Sequence, residues 1–399
     1  MAPQVSPHFA SVSSQLHLGG TVYLYADIDG DAERATDFVL SVLRDTPELR
    51  RLAAPNRLNA KSLVRIFGLD QMRAVGLSSY EADEHYRNRG FIHASARVGL
   101  LRALGGEPEP FELADIAPEG ADLVWEQQLD AGALLEVISE LSALGVGMNP
   151  AALEQSLDSP LLSFGVTLRS VLEDLKTKIG VVLAVDESRN LWIPGESFTF
   201  PYTDFVVQLD GLEELIDAVI RYAASDPFVR ATRSEEWVIV TAGIRLPPPW
   251  NAYEPALIKE VATGRTYLVS SPAFLKECLA TSEGIATKAD FQKAMAGLPT
   301  EGNGMLYLSP KMTRVMHAAL DRIVSKHGPA VQTHVARFLL PDAGQEHGWA
   351  LQNRPDGILF TSNSASSHKA TLLTLGYAAL LPAAVLLGST WLEPEPNPL

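Results

Sequence analysis

One arrangement of apolar and polar positions recurs along the chain. A short alternating strand ends on Asp or Ser, and an amphipathic helix follows at once. In TVYLYADIDGDAERATDFVLSVL, Val22, Leu24, Ala26 and Ile28 alternate as a half-buried strand. Ala35, Phe38, Val39, Val42 and Leu43 then fall on one helical face. DLVWEQQLDAGALLEVISEL repeats the arrangement around Asp130, and DFVVQLDGLEELIDAVIRYA around Asp210. Ser271-Pro272 and Ser309-Pro310 mark two further junctions.

The junction residues are read as helix caps. An Asp or Ser side chain at the N-cap accepts a hydrogen bond from a helix N–H that has no other partner. Proline at the next position loses nothing there. On this reading Asp29, Asp130, Asp210, Ser271 and Ser309 each cap a helix leaving the end of a strand.

Shorter helices and strand pairs follow several of these units. KSLVRIFGL precedes MRAVGLSSY and HYRNRGFIHASA, and LRSVLEDLK precedes IGVVLAVD and SFTFPYTDFVVQL. EEWVIVTAGI reads as a strand, and HGWALQNRPDGILFTSNS as a hairpin turned by Arg354-Pro355-Asp356-Gly357. Leu246-Pro247-Pro248-Pro249-Trp250 reads as a stiff loop between Ile244 and a helix starting near Glu254. The expected fold class is α+β: repeated β-α-(α)-β-β units forming mainly antiparallel sheets with helices on one face, plus a C-terminal hydrophobic helix. The expected divisions are 1–200 (two repeat units), 201–368 (related units) and 369–399.

That last division holds ATLLTLGYAALLPAAVLLGSTWL, which runs from Ala370 to Leu392 without a charge. About 20 apolar residues suffice to cross a bilayer. The expectation is a transmembrane helix with a membrane partner through residues 370–392. Trp391 and Lys369 stand at its ends as interfacial residues.

Composition narrows function by exclusion. The 399 residues are 46% hydrophobic and 20% charged, which is globular rather than disordered. The net charge of −16 works against phosphate backbones, so no nucleic-acid partner is expected. Cys278, the single cysteine, permits no internal disulfide and no CxxC pair, and it reads as a small buried hydrophobe. The opening MAPQVSPHFASVSSQ has neither a basic nor an apolar region, so it is not read as a signal peptide.

Several groups invite a chemical reading. Asp27–Asp31 (DIDGD) suggests a calcium loop, yet counting from Asp27 places Ala32 at position 6 and Phe38 at position 12, where Gly and Glu are needed. It is read as helix capping. Asp83, Glu84, His85 and His93 carry zinc-ligating types around one hairpin, but three are consecutive and their side chains diverge. His317 falls beside the apolar stripe of the helix from Pro310, and His327 and His334 lack HExxH spacing. Gly145-Val146-Gly147 is a helix C-terminus, and Gly302-Asn303-Gly304 precedes a strand, the wrong order for phosphate. No catalytic, cofactor-binding or metal residue is assigned, and no cofactor is expected.

HFASVSSQLHLGGTVYLYADIDGD, FELADIAPEGADLVWEQQLDAGALLEVI, and KIGVVLAVD with DFVVQLDGLEELI together resemble uncharacterised bacterial envelope proteins, families whose domains have no known function. The resemblance covers most of residues 8 to 368. It implies export and no catalytic residues; the chain departs from the resemblance in showing no leader, which counts against export or points to a missing or miscalled N-terminus. The reading that results is a non-enzymatic, membrane-tethered envelope protein that binds a protein, lipid or polysaccharide partner. Its rivals are an enzyme with a non-standard, hydrolytic site near His85 and His93, and a cytosolic tail-anchored adaptor.

Overall fold

The computed structural model of the chain describes residues 6–45, 59–82, 85–161, 165–194, 198–210, 212–223, 228–244, 246–280, 284–327 and 340–367. In chain order its first half forms α1 (Phe9–Gln15), β1 (Val22–Asp27), α2 (Ala32–Asp45), α3 (Ala60–Phe67), β2 (Met72–Ala82), β3 (His85–Ala94), α4 (Leu100–Ala103), β4 (Glu109–Pro110), α5 (Leu113–Ile116), β5 (Leu123–Gln128), α6 (Ala131–Ala143), α7 (Pro150–Asp158) and α8 (Leu168–Asp174). The second half forms β6 (Lys176–Trp192), β7 (Thr199–Asp210), α9 (Glu213–Ala223), β8 (Val229–Arg233), β9 (Trp237–Ala242), β10 (Ala256–Glu260), β11 (Thr266–Val269), α10 (Pro272–Ala280), α11 (Ala289–Met295), β12 (Glu301–Gly302), β13 (Gly304–Leu308), α12 (Pro310–His327), β14 (His347–Arg354) and β15 (Gly357–Ser364).

The chain is an α+β protein built on one 13-stranded sheet. Its order is β1-β2-β3-β15-β14-β13-β5-β6-β7-β11-β10-β9-β8. Every neighbouring pair is antiparallel. β4 and β12 form a separate pair. Residues 200 and 201 lie inside β7, which pairs with β6 on one side and β11 on the other.

Helices cover both faces of the sheet, not one. Alternation along β5 shows this. Val124 packs with Leu113, Phe274, Leu275 and Ala294 from α5, α10 and α11. Its neighbour Leu123 packs with Met312, Val315 and Met316 of α12. Successive side chains on a strand point to opposite faces, and both faces of β5 are apolar. Behind the second face, α2, α3, α4 and α6 pack mainly on one another through Leu40, Leu63, Phe67, Leu100, Val137 and Leu141.

The first unit differs in detail from its sequence pattern. In β1 the packed face carries Tyr23 and Tyr25, while Leu24 is 47% exposed. The reason is α1. Val12 and Leu16 sit over Gly76, where a Cβ would fall 2.2 Å from Val12, so α1 covers the tyrosine face. Likewise α2 buries Leu40 and leaves Phe38 and Val39 exposed, because it leans on α3 rather than on the sheet.

Three of the five expected caps are present. Asp130 accepts the Ala133 N–H (2.8 Å), Ser271 that of Phe274 (3.2 Å) and Ser309 that of Met312 (3.0 Å). Asp29 instead pairs with Arg73 (2.6 Å), and α2 begins beyond it. Asp210 is the last residue of β7, three positions before α9 begins. The expected helix near Glu254 is a single 3-10 turn, Trp250–Ala252, followed by β10.

The transmembrane reading is corrected. Among the described residues no helix is long and apolar enough to cross a membrane. The longest, α12, carries Lys311, Arg314, Asp321, Arg322 and Lys326, charges that a bilayer core disfavours. Residues 370–392, on which that reading rested, lie outside the described residues.

Candidate functional site

β6 and β7 are longer than their neighbours. β5 pairs with β6 only from Lys178 to Leu183, and β11 pairs with β7 only from Val206 to Leu209. The rest of the hairpin, from Ala184 and Phe205 outward, extends past both flanking strands as a two-stranded arm with a register shift between Asp186 and Asn190. A free hairpin is marginal in water, so its root needs anchoring.

A buried ion cluster supplies the anchor. Asp122, 1% exposed, accepts the Val185 N–H on Oδ2 (2.9 Å) and the Ser309 hydroxyl on Oδ1 (2.7 Å). Lys311 Nζ lies 2.7 Å from the same carboxylate and donates to the Val185 carbonyl (2.6 Å). Both polar groups of the Val185 peptide are thus held by one ion pair. Farther out, Arg322 of α12 donates to the Thr199 carbonyl (2.5 Å). A buried carboxylate is tolerated where charge and hydrogen bonds are both matched, and here the matching fixes the arm to α12.

The arm carries a stack of rings and a cation. The Arg189 guanidinium lies 3.6 Å from the Tyr202 ring centroid. Tyr202 stacks on Tyr253 with centroids 4.8 Å apart, and Trp250 follows at 6.3 Å. Asp204 accepts from Tyr202 Oη (3.3 Å) and Ser270 Oγ (2.6 Å). Burial, reinforced by the Asp204 charge, pushes the Tyr202 phenol up to about 12, so it stays a donor at neutral pH. Antiparallel pairing brings the loop before β10, the end of β9 and the start of β8 to this same end of the sheet. Trp192, Trp250, Phe228 and Ile244 stand exposed there, each by 50% or more.

A second cluster of charged groups lies at the other end of β7. Asp210 is held above the ordinary carboxylate range by burial, opposed by Arg265 and Lys178. Its Oδ1 is buried with no hydrogen-bond partner among the described residues. Glu112 pairs with Arg265. Glu126 faces Lys178 (3.1 Å) and accepts the N–H groups of Glu112 (3.0 Å) and Leu113 (2.8 Å).

The tempting residues of the sequence go to separate places. His85 and His93 stand at opposite ends of β3, about 26 Å apart at the usual rise per residue. His85 pairs with Glu346 (2.8 Å), while a ring nitrogen of His93 meets the Asp356 carbonyl (2.8 Å). Asp83 and Glu84 lie outside the described residues. Asp27, Asp29 and Asp31 turn to Ser6, Arg73 and Arg34 respectively. His317 contacts the Pro341 carbonyl (2.7 Å). His327 ends α12, and His334 lies outside the described residues. Cys278 is fully buried, and burial pushes its thiol up to about 12, which removes nucleophilic character.

Gly302-Asn303-Gly304 has a structural role that the sequence did not reveal. The Asn303 amide donates to the Gly106 carbonyl (2.9 Å) and Gln128 Oε1 (2.7 Å), and its oxygen accepts the Asn353 N–H (2.7 Å). A Cβ on Gly302 would lie 2.5 Å from the Leu351 carbonyl. Asn353 also holds the Gly105 and Gly106 carbonyls (2.9 and 2.8 Å), so a buried amide knot ties three strands to the loop after α4.

Comparison with known proteins finds no matching family model, no matching curated protein and no matching solved structure.

Proposed function

We propose that this chain is a non-enzymatic binding protein of the bacterial envelope, and that it holds a protein partner at the arm end of its sheet. The observation that carries this reading is the ring-and-cation stack of Arg189, Tyr202, Tyr253 and Trp250, set on an arm anchored by a buried ion cluster. Trp, Tyr and Arg are the residues that dominate protein interfaces, since they combine large apolar area with a polar tip and little freedom to lose. Trp192, Trp250, Phe228 and Ile244 give that end of the sheet large apolar side chains for a partner to bury. Placement in the envelope rests on the resemblance of the sequence motifs.

The body is read as repeated β-α-(α)-β-β units. β1-β2-β3, β5-β6-β7 and β13-β14-β15 each run strand, helix or helices, then hairpin, with the first strand paired to the second. In such a repeat the elongated hairpin of the middle unit is the departure, which is where a grafted function belongs.

The test is site-specific photocrosslinking in the native cell. A photoreactive residue at Trp192 or Trp250 is expected to give a protein adduct of one discrete mass, and the same residue at the exposed Lys61 none. No adduct at either tryptophan, or equal capture at Lys61, overturns the reading.

A further inference from the structure

On the opposite half of the sheet, one face of β3 carries Arg87, Arg89, Phe91 and His93 in alternation. Register places Tyr80 opposite Arg87, and Ser78 and Thr361 opposite Arg89. The end of α1 folds over this floor. The Arg89 guanidinium donates to the Gln15 carbonyl at 3.4 Å, and the His17 N–H donates to the buried Ser78 hydroxyl at 3.0 Å. The His17 ring then meets Tyr80 edge-on, centroids 4.7 Å apart. Across the floor the loop after α11 closes on Arg87, so near that a Cβ on Gly297 would lie 2.8 Å from Nη1.

This is a concentration of positive charge in a protein of net charge −16. Arg89 is half-buried, and among the described residues no carboxylate pairs with it. Burial lowers its affinity for its own proton, and the Arg354 charge acts in the same direction. Burial and the positive charges of Arg89 and Arg87 also hold His17 below the ordinary histidine range. A desolvated guanidinium with one long contact to a carbonyl is costly, and a planar oxyanion matches its fork of donors.

We propose that the floor formed by Arg89, Arg87, Tyr80 and His17 is an oxyanion-binding site, taking the phosphate or carboxylate group of a small acidic ligand. Arg89 is the bidentate donor. Arg87 stands two residues along the same face, about 7 Å away, with contacts of its own, and adds only its positive charge to the floor. The Tyr80 hydroxyl and the His17 imidazole complete the rim, and neither has a hydrogen-bond partner among the described residues. The site lies on β2 and β3, away from the aromatic arm, and does not depend on the function proposed for that arm.

The probe is the His17 imidazole, followed by NMR in the full chain and assigned through His17→Gln. Inorganic phosphate and succinate are titrated in separate arms at constant ionic strength. The expected result is a saturable rise of the His17 titration midpoint with at least one of the two, because a bound anion offsets the arginine charges. A response to phosphate alone assigns a phosphoryl ligand, and one to succinate alone a carboxylate. Arg89→Gln is expected to weaken that binding about tenfold or more, and Arg89→Lys to weaken it while keeping the charge. A His17 midpoint unmoved by both anions, or moved equally in wild type and both Arg89 variants, overturns the proposal. The lysine variant covers the case in which the glutamine variant fails to fold.

Discussion

Ser309 Oγ donates to Asp122 Oδ1 at 2.7 Å while accepting the Met312 N–H at 3.0 Å, so one hydroxyl both starts α12 and ties it to the residue that leads into β5 of another unit. The cap read from sequence is therefore half of a longer connection. Through Asp122 it reaches the Val185 peptide at the root of the arm.

Removing either end should show the coupling. Asp122→Ala is expected to cost about 3–5 kcal/mol, since it leaves Lys311 facing an unmatched site. Ser309→Ala is expected to cost about 1–2 kcal/mol. The double variant should cost less than the two together, because they share one network. Urea unfolding checks the energies, and faster amide exchange at Val185 in Asp122→Ala checks the link to the arm. Additive losses with an unchanged Val185 rate would contradict the account.

His347 gives the fold a defined acid sensitivity. It is buried in β14, and burial pushes its imidazole from 6.5 down to about 4. Below pH 6.5 the unfolded chain gains a proton there that the folded chain refuses. Stability is therefore full above pH 6.5 and falls as the pH drops towards 4, by at most about 1.4 kcal/mol per unit for one proton. His347→Gln should flatten the stability curve between pH 6.5 and 4. An unaltered slope in that window would remove His347 as the cause.

Asp210 works in the opposite sense. Burial raises its carboxyl above the ordinary range and its Oδ1 is orphaned, so folding binds its proton more tightly than the unfolded chain does. Stability from this group is full below the unfolded carboxylate range and is lost as pH rises through the folded value. Asp210→Asn should therefore raise the urea midpoint at pH 7.5, with the gain vanishing near pH 3.5. A lower midpoint at pH 7.5 would mean that Asp210 has a matched ionic partner.

The sequence made the local elements legible. Alternation located β9, β14 and β15, and the helical period located α6 and α12, because each carries its own apolar face. The caps at Asp130, Ser271 and Ser309 were legible for the same reason, since capping is a contact within a few residues. What escaped was set by distant chain. Nothing near Tyr23 says that α1 will cover the tyrosine face rather than the Leu24 face. Nothing near Asn303 says that Gln128, Asn353 and Gly106 will converge on it. The arm was hidden because SFTFPYTDFVVQL reads as strand throughout, and only pairing shows where its neighbours stop. In the sequence the proposed oxyanion floor shows only as Arg87-Asn88-Arg89, two arginines one residue apart. Its meaning came from a strand period that puts both arginines on one face beneath His17.

The order of strands also fixes when the molecule can become whole. β13, β14 and β15 leave the ribosome after every other described strand of the sheet, yet they occupy its middle, between β3 and β5. Until they arrive, β3 and β5 each present a row of unpaired backbone groups, the kind of edge that recruits other strands. The nascent protein therefore carries two open sheet halves until these strands emerge, and the closing piece is a single β-α-β-β segment inserted between them. A chain stopped before residue 304 would lack the seam itself, not an ornament at one end.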